Sequence, residues 1–177
     1  MTAREPDTLQ TGDRLPNLDL PLDERWHDED GTVALRAGPR RAALLLYLPH
    51  LPHGASGAPE IDGEDAARRS PCGPCRSFIE NLMDASETIT LKDGTIAVAS
   101  PEGRQMLADR VGISETEAHL IVTDRFGEIW EACSIGADHE DGELVSIPDL
   151  VEWVDYLGTQ CPECGVLDTT DRSWRTI

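Results

Sequence analysis

The sequence predicts an α/β fold in which a central mixed β-sheet is flanked by helices on both faces. An uninterrupted apolar run over residues 42–48, ended by Pro49, is typical of a buried central strand. An amphipathic helix and a second strand follow it, and a crossover helix implies that these two strands are parallel. A tight turn at residues 124–127 separates two further strand-like segments, which implies that the last two strands are antiparallel.

The residues before the central strand are polar and rich in turns. Short apolar pieces lie around residues 15–22 and 33–35, and Gly31 marks a turn between them. After the strand, residues 49–71 form a long irregular segment that contains four of the prolines. A loop of this length within a compact domain is usually functional or mobile.

The first helix is predicted from apolar residues that recur at a spacing of three and four positions. These residues are Cys75, Phe78, Ile79, Leu82 and Met83. We expect this apolar face to pack in the core rather than to hold a cofactor. The turn Asp93-Gly94 then leads into a strand over residues 95–99.

A second helix is predicted to begin at Ser100-Pro101, which supply a capping hydroxyl and a first-turn proline, and to end at Gly112. Residues 119–123 and 128–132 are the two predicted strands of a hairpin. A last helix opens at residues 146–149 and is predicted to end at Gly158. Its apolar face is formed by Ile147, Leu150, Val151, Val154 and Leu157.

These elements define one predicted domain over residues 12–158, which suits a chain of 177 residues. A flexible segment over residues 1–11 is expected before it, and residues 49–71 are inserted in it as a loop. Residues 159–177 form a C-terminal tail that carries the last two cysteines.

The charge of the chain excludes several classes of partner. Asp and Glu total 34 against 15 Lys and Arg, so the formal net charge is −19 at pH 7. Such a negative field repels nucleic-acid phosphates and anionic membrane surfaces. The longest apolar run is too short to span a bilayer, and the N-terminus lacks the apolar stretch of a secretory signal. We therefore expect a soluble, acidic cytoplasmic protein.

The five cysteines carry the main indication of function. Four of them form two C-x-x-C pairs, Cys72/Cys75 and Cys161/Cys164, and the second pair lies within the sequence CPEC. In a reducing compartment such pairs are more often catalytic dithiols or metal ligands than structural disulfides. The fifth cysteine, Cys133, ends a predicted strand and is expected to be a small buried hydrophobic residue.

The order of the elements, with Cys72-Gly-Pro-Cys75 at the mouth of the first helix, resembles the thioredoxin-like superfamily. Thioredoxins themselves carry the sequence CGPC. The segment GDRLPNLDL at residues 12–20, followed by GTVAL at residues 31–35, looks more like the peroxiredoxin and redoxin branch. The resemblance implies a thioredoxin-like fold with a redoxin-type N-terminal extension.

The chemistry of the first pair follows from its place on the helix. A helix N-terminus directs backbone N–H groups and the positive end of the helix dipole at the sulfur of Cys72, which favours the thiolate. Cys75, about one turn further in, lies within bridging distance. By the resemblance, Cys72 is the attacking thiol and Cys75 the resolving thiol.

The implied activity is thiol–disulfide exchange on a protein disulfide, driven by an external dithiol reductant and serving antioxidant defence. No nucleotide-binding signature is present, so no cofactor is predicted for this activity. Peroxide reduction is less favoured, because the peroxiredoxin signature Pro-x-x-x-Thr/Ser-x-x-Cys is absent. Asp65 and Arg69 occupy its proline and hydroxyl positions before Cys72.

A rival hypothesis is a zinc-binding structural or adaptor protein on the same scaffold, using the C-x-x-C pairs. It is favoured by the absence of any proline between Pro101 and Pro148, where family members place a cis-proline beside the dithiol. Against it, residues 76–160 separate the two pairs. The last helix, about 18 Å long, is also expected to carry the second pair away from the first. A homodimer or a folded-back tail could still unite the pairs.

Three roles stay open for Cys161 and Cys164. They could be a second redox pair that relays electrons, a zinc knuckle, or a structural disulfide. His50 and His53 lie in the long loop and could reach a metal or a substrate, but the expectation for both is a solvated loop histidine.

Overall fold

The computed structural model describes residues 9–27, 31–35, 42–50, 71–114, 117–135 and 145–159. Their strands are β1 (Asp19–Pro21), β2 (Thr32–Ala34), β3 (Ala43–Leu48), β4 (Gly94–Val98), β5 (Ala118–Asp124) and β6 (Ile129–Ile135). Their helices are α1 (Gly73–Asp84), α2 (Ser86–Leu91), α3 (Pro101–Val111) and α4 (Ile147–Thr159). Residues 160–177 of the predicted C-terminal tail and residues 51–70 of the predicted loop lie outside the described residues.

The main sheet has four strands in the order β4-β3-β5-β6. Strand β3 pairs in parallel with β4 and antiparallel with β5, and β5 pairs antiparallel with β6. This confirms the predicted mixed sheet, including its parallel first pair and its antiparallel last pair. Such a sheet, with a crossover helix between β3 and β4 and a hairpin at its far side, has the thioredoxin-like arrangement that the resemblance implied.

Strand β3 is central because both of its faces are apolar. On one face, Ala43, Leu45 and Tyr47 pack with the buried residues of α1 and α4, which we call the first core. On the other face, Leu44, Leu46 and Leu48 form the second core with Leu107 of α3 and residues of the N-terminal segment. Helices therefore cover both faces of the sheet, as predicted, and all six residues of β3 are fully buried.

The N-terminal extension forms a small separate sheet. Strands β1 and β2 pair antiparallel, with Leu20 opposite Val33, and both of these side chains are buried in the second core. Gly103 of α3 lies against the backbone of Pro21, at a distance that only a residue without a Cβ allows. The extension thus covers the α3 side of the main sheet.

The ends of helix α3 follow the sequence signals. The Ser100 hydroxyl accepts a hydrogen bond from the backbone N–H of Gly103 over 3.0 Å, and Pro101 opens the first turn. Gly112 ends the helix with a φ of 71°, a left-handed conformation that favours glycine. None of the described helices combines the length and the apolar content that a membrane-spanning helix requires.

The helices differ from the prediction in two places. Helix α4 was expected to end at Gly158, but it continues to Thr159, and Gly158 packs beside Ala42. Helix α2 was not predicted at all, because Ile89 is its only buried residue and no apolar repeat marks it.

Candidate active site

Cys72 occupies the N-cap of helix α1. Its backbone is extended, with φ −59° and ψ 165°, and the helix begins with Gly73-Pro74 immediately after it. The Cys72 side chain is half-buried, whereas Gly73 and Pro74 are exposed. This places the sulfur where the first turn of the helix directs its N–H groups and the positive end of its dipole.

Cys75 lies in the first turn of the same helix and points inward. It is 1% exposed and belongs to the first core, together with Phe78 and Ile79. Its Sγ accepts a hydrogen bond from the backbone N–H of His50 over 3.3 Å. The backbone N–H of Cys72 donates to the carbonyl of His50 over 3.4 Å, so the residues that follow β3 are attached to both cysteines.

The two thiols differ in their surroundings. Burial raises the pKa of Cys75 to about 11, and the neighbouring Cys72 thiol contributes in the same direction. The Tyr47 hydroxyl and the His50 backbone N–H act in the opposite direction, because both can donate to the Cys75 thiolate. Cys75 is therefore protonated at neutral pH, and the pair combines one accessible sulfur with one buried thiol.

A buried arginine forms hydrogen bonds with the backbone at the end of β3, next to this pair. Arg104 of α3 is 4% exposed, and its guanidinium donates to the carbonyls of Leu48 and Pro49 over 3.1 and 2.7 Å. It also donates to the carbonyl of Ser114 over 2.7 Å and to that of Glu117. The end of β3 and the start of β5 are thus joined through one side chain.

The positive charge of Arg104 affects the pKa of His119, near the start of β5. His119 is 6% exposed, and its Nε2 lies 3.3 Å from the carbonyl oxygen of Ser114. Burial lowers the pKa of His119, and the nearby positive charge of Arg104 lowers it further. No peptide bond between described residues is cis, in keeping with the absence of proline from this part of the sequence.

The prediction of a solvated His50 is wrong. His50 is 7% exposed. It is buried because its backbone lies between β3 and the first turn of α1, where it forms hydrogen bonds with Cys72 and Cys75. The irregular loop was predicted to begin at Pro49, but both Pro49 and His50 are buried. His53 lies outside the described residues.

Cys133 lies on β6, opposite Leu120 of β5. It is half-buried rather than fully buried, because β6 is at the edge of the sheet, and it packs against the first core. A small, buried hydrophobic residue was predicted at this position. Cys72, Cys75 and Cys133 are all thiols in this structure.

Cys161 and Cys164 lie outside the described residues, so their three proposed roles stay predictions. The last turn of α4 is nevertheless described. Gly158 lies against Ala42 and the carbonyl of Lys92, next to the N-terminal end of β3. The Cys72/Cys75 pair lies beyond the C-terminal end of β3. Within the described ranges, no three His, Cys, Asp or Glu side chains are grouped as metal ligands.

Sequence reasoning missed two polar residues of this site, Tyr47 and Arg104. Tyr47 was part of an apolar run, and Arg104 is one of several charged residues in its helix. Only their surroundings in the folded chain distinguish them. The Tyr47 ring contacts that of Phe78, and Arg104 bonds to Leu48, which lies 56 positions before it. No local pattern could have indicated either one.

Comparison with known proteins found similarity among solved structures. No protein-family model matches the chain, and no curated protein matches it. Among solved structures, the chain is similar to a putative thiol:disulfide interchange protein DsbE from Chlorobium tepidum, with 15% identity and a TM-score of 0.48. The similarity covers 85% of this chain and 99% of that chain.

Proposed function

We propose that this protein is a thiol–disulfide oxidoreductase that uses the Cys72/Cys75 dithiol. One observation carries the proposal: a half-buried sulfur at the N-cap of α1 stands one helical turn from a buried thiol on the same helix. Exchange needs these two properties, an accessible nucleophile and a second thiol that can resolve the mixed disulfide.

The proposed reaction transfers two electrons from the dithiol to a substrate disulfide. The Cys72 thiolate attacks one sulfur of that disulfide, forms a mixed disulfide, and releases the other substrate sulfur as a thiolate. Cys75 then loses its proton to water and attacks the Cys72 sulfur. This forms the Cys72–Cys75 disulfide and releases the second substrate thiolate.

The partners we propose are a protein disulfide as substrate and an external dithiol as reductant. The reductant attacks the Cys72–Cys75 disulfide and restores both thiols by the same exchange chemistry. The alternative source of electrons is Cys161/Cys164, acting as a relay within one chain or between two chains. We further propose a role in antioxidant defence in a reducing compartment, where the pair would be kept largely as thiols.

The test is insulin reduction by the full-length protein, with dithiothreitol as the electron source, compared among four forms. Wild type and Cys133→Ser should both accelerate insulin precipitation, because Cys133 has no part in the proposed exchange. Cys72→Ser should lose the activity. Cys75→Ser should lose turnover. Mixed with insulin after dithiothreitol has been removed, its reduced form should accumulate a mixed disulfide at Cys72, which mass spectrometry detects.

Two results would overturn the proposal. One is a wild-type rate equal to that of Cys72→Ser, with no mixed disulfide on Cys75→Ser. The other is about one zinc per chain in protein purified without chelator, with Cys72 and Cys75 reactive only after chelation. That second result would establish the rival zinc-binding function instead.

A further inference from the structure

The buried position of Cys75 creates a requirement that the exchange reaction must meet. Resolution needs the Cys75 thiolate, yet this sulfur is 1% exposed and its pKa is raised to about 11. A buried anion is stable only where the protein supplies hydrogen-bond donors in place of water. The donors around Cys75 therefore control how readily the mixed disulfide is resolved.

One donor is the backbone N–H of His50, which lies 3.3 Å from the Cys75 sulfur. A second polar hydrogen is available from Tyr47, three residues earlier on the same chain segment. The Tyr47 side chain is fully buried in the first core, which also contains Cys75. Its ring packs on that of Phe78, one turn after Cys75 on α1, with ring centroids 4.9 Å apart.

The Tyr47 hydroxyl has no hydrogen-bond partner of ordinary geometry among the described residues. A buried hydroxyl without a partner costs free energy, so its presence in an otherwise apolar strand calls for an explanation. The neutral Cys75 thiol is a weak acceptor, whereas the thiolate that forms during exchange is a strong one.

The charged and titratable groups that shift the pKa of Tyr47 belong to helices α1 and α3. Burial raises the pKa of Tyr47, and Cys75 and Cys72 of α1 raise it further, whereas Arg104 of α3 lowers it. The phenol therefore keeps its proton at any pH at which the exchange would run. It can act as a donor, and it cannot act as a base.

We propose that Tyr47 donates a hydrogen bond from its hydroxyl to the Cys75 thiolate and thereby accelerates resolution of the mixed disulfide. The inference rests on the proposed function, because it assigns Tyr47 to the second step of that reaction. The proton balance is unchanged: Cys75 gives its proton to water, and the phenol proton stays on Tyr47 while it is shared with the sulfur.

The experiment separates the two steps with Ellman's reagent as the disulfide. It uses the reduced full-length chain with Cys133→Ser, Cys161→Ser and Cys164→Ser, so that only the pair can react. Attack by Cys72 releases one thionitrobenzoate in a first phase, and resolution by Cys75 releases the other in a second phase. Stopped-flow absorbance follows both phases from pH 6 to pH 10.

Tyr47→Phe removes the hydroxyl and keeps the ring against Phe78. We expect an unchanged first phase and a second phase slowed about tenfold, since hydrogen bonds to charged groups are the stronger class. The pH profile of the second phase should move upward by about one unit. The matched control is Tyr156→Phe at the only other tyrosine, which is exposed on α4 and should change neither phase.

The outcomes distinguish the inference from the proposed function. A normal second phase in Tyr47→Phe would overturn the role of Tyr47 and leave the exchange activity standing. Loss of the second phase from the parent protein itself would overturn both. Ultraviolet titration of the Cys75 thiolate gives a second test, with Cys72→Ser added to the same three serine substitutions so that Cys75 is the only thiol left. The midpoint should rise when Tyr47→Phe is added, and an unchanged midpoint would contradict the proposal.

Discussion

The backbone N–H of His50 donates to the Sγ of Cys75 over 3.3 Å, which attaches the residue just beyond β3 to the inner cysteine of α1. The carbonyl of the same His50 accepts from the backbone N–H of Cys72. Both cysteines are thereby positioned from one residue that lies just after the central strand β3. The sheet is the most buried part of the fold, so it gives the pair a rigid support.

Stability should fall in alkaline solution because of Cys75. Its pKa is about 11 in the folded protein, whereas the pKa of an unfolded cysteine is about 8.5. Between these values the unfolded chain has lost the proton and the folded chain has kept it. The free energy of unfolding therefore decreases as the pH rises from about 8.5 to about 11, and below that window Cys75 contributes no pH dependence.

Urea unfolding of the reduced protein at pH 7.5 and pH 10.5 measures this effect. Wild type should lose more stability between the two pH values than Cys75→Ser, which lacks the titrating group. Cys133→Ser should behave as wild type does, since it keeps Cys75. Equal losses in wild type and Cys75→Ser would show that the buried thiol is not the source.

Arg104→Met should destabilise the fold strongly. The guanidinium donates to four carbonyls on two segments, and methionine would leave those that stay buried without a donor. We expect a loss of about 2–4 kcal/mol in the free energy of unfolding. Arg110→Met, an exposed arginine of the same helix, is the control and should change stability by less than about 0.5 kcal/mol.

The sheet and most helices could be predicted because their signals are local. The apolar run of β3, the Ser100 cap and the Gly112 end of α3 each act within a few residues. The turn between β5 and β6 is likewise stabilised within itself, since the Asp124 carboxylate accepts from the backbone N–H groups of Phe126 and Glu128. Such features are visible in a single sequence.

The environment of the candidate site could be predicted only in part. The positions of Cys72 and Cys75 on α1 followed from the C-x-x-C spacing and from the apolar repeat after it. The His50 donor lies 25 positions before Cys75, and its N–H belongs to the backbone, which no residue type reveals. Helix α2, with one buried residue, depends on its neighbours rather than on its own pattern.

His119 should make the fold less stable in mild acid. Its pKa is lowered in the folded protein by burial and by Arg104, so the unfolded chain binds the proton more readily. The stability contribution is present above the ordinary histidine value of about 6.5 and is lost as the pH falls below it.

Two measurements check this behaviour. Among the five histidines in NMR titrations, His119 should have a midpoint below the ordinary value. Urea unfolding between pH 7.5 and pH 5 should show a smaller loss for His119→Gln than for wild type. A midpoint for His119 at or above the ordinary value would contradict the proposed cause.

The contact between α3 and β1 should tolerate no side chain at Gly103. A Cβ built there would come within 3.3 Å of the Leu20 side chain and far closer to the carbonyl oxygen of Pro21, a backbone atom that cannot move aside cheaply. Gly103→Ala should therefore force the N-terminal extension away from α3 and cost about 1–3 kcal/mol. Gly73→Ala is the matched control, because nothing lies within 4 Å of its added Cβ.

Thermal unfolding of the two reduced alanine variants compares a crowded and an open glycine directly. Gly73→Ala should stay within about 0.5 kcal/mol of wild type, since its site is exposed. If Gly103→Ala were as stable as Gly73→Ala, the extension could not be packed against α3 at this point. The carbonyl of Pro21 also accepts a hydrogen bond from the backbone N–H of Ser100. The same result would therefore also contradict the contact between β1 and the start of α3.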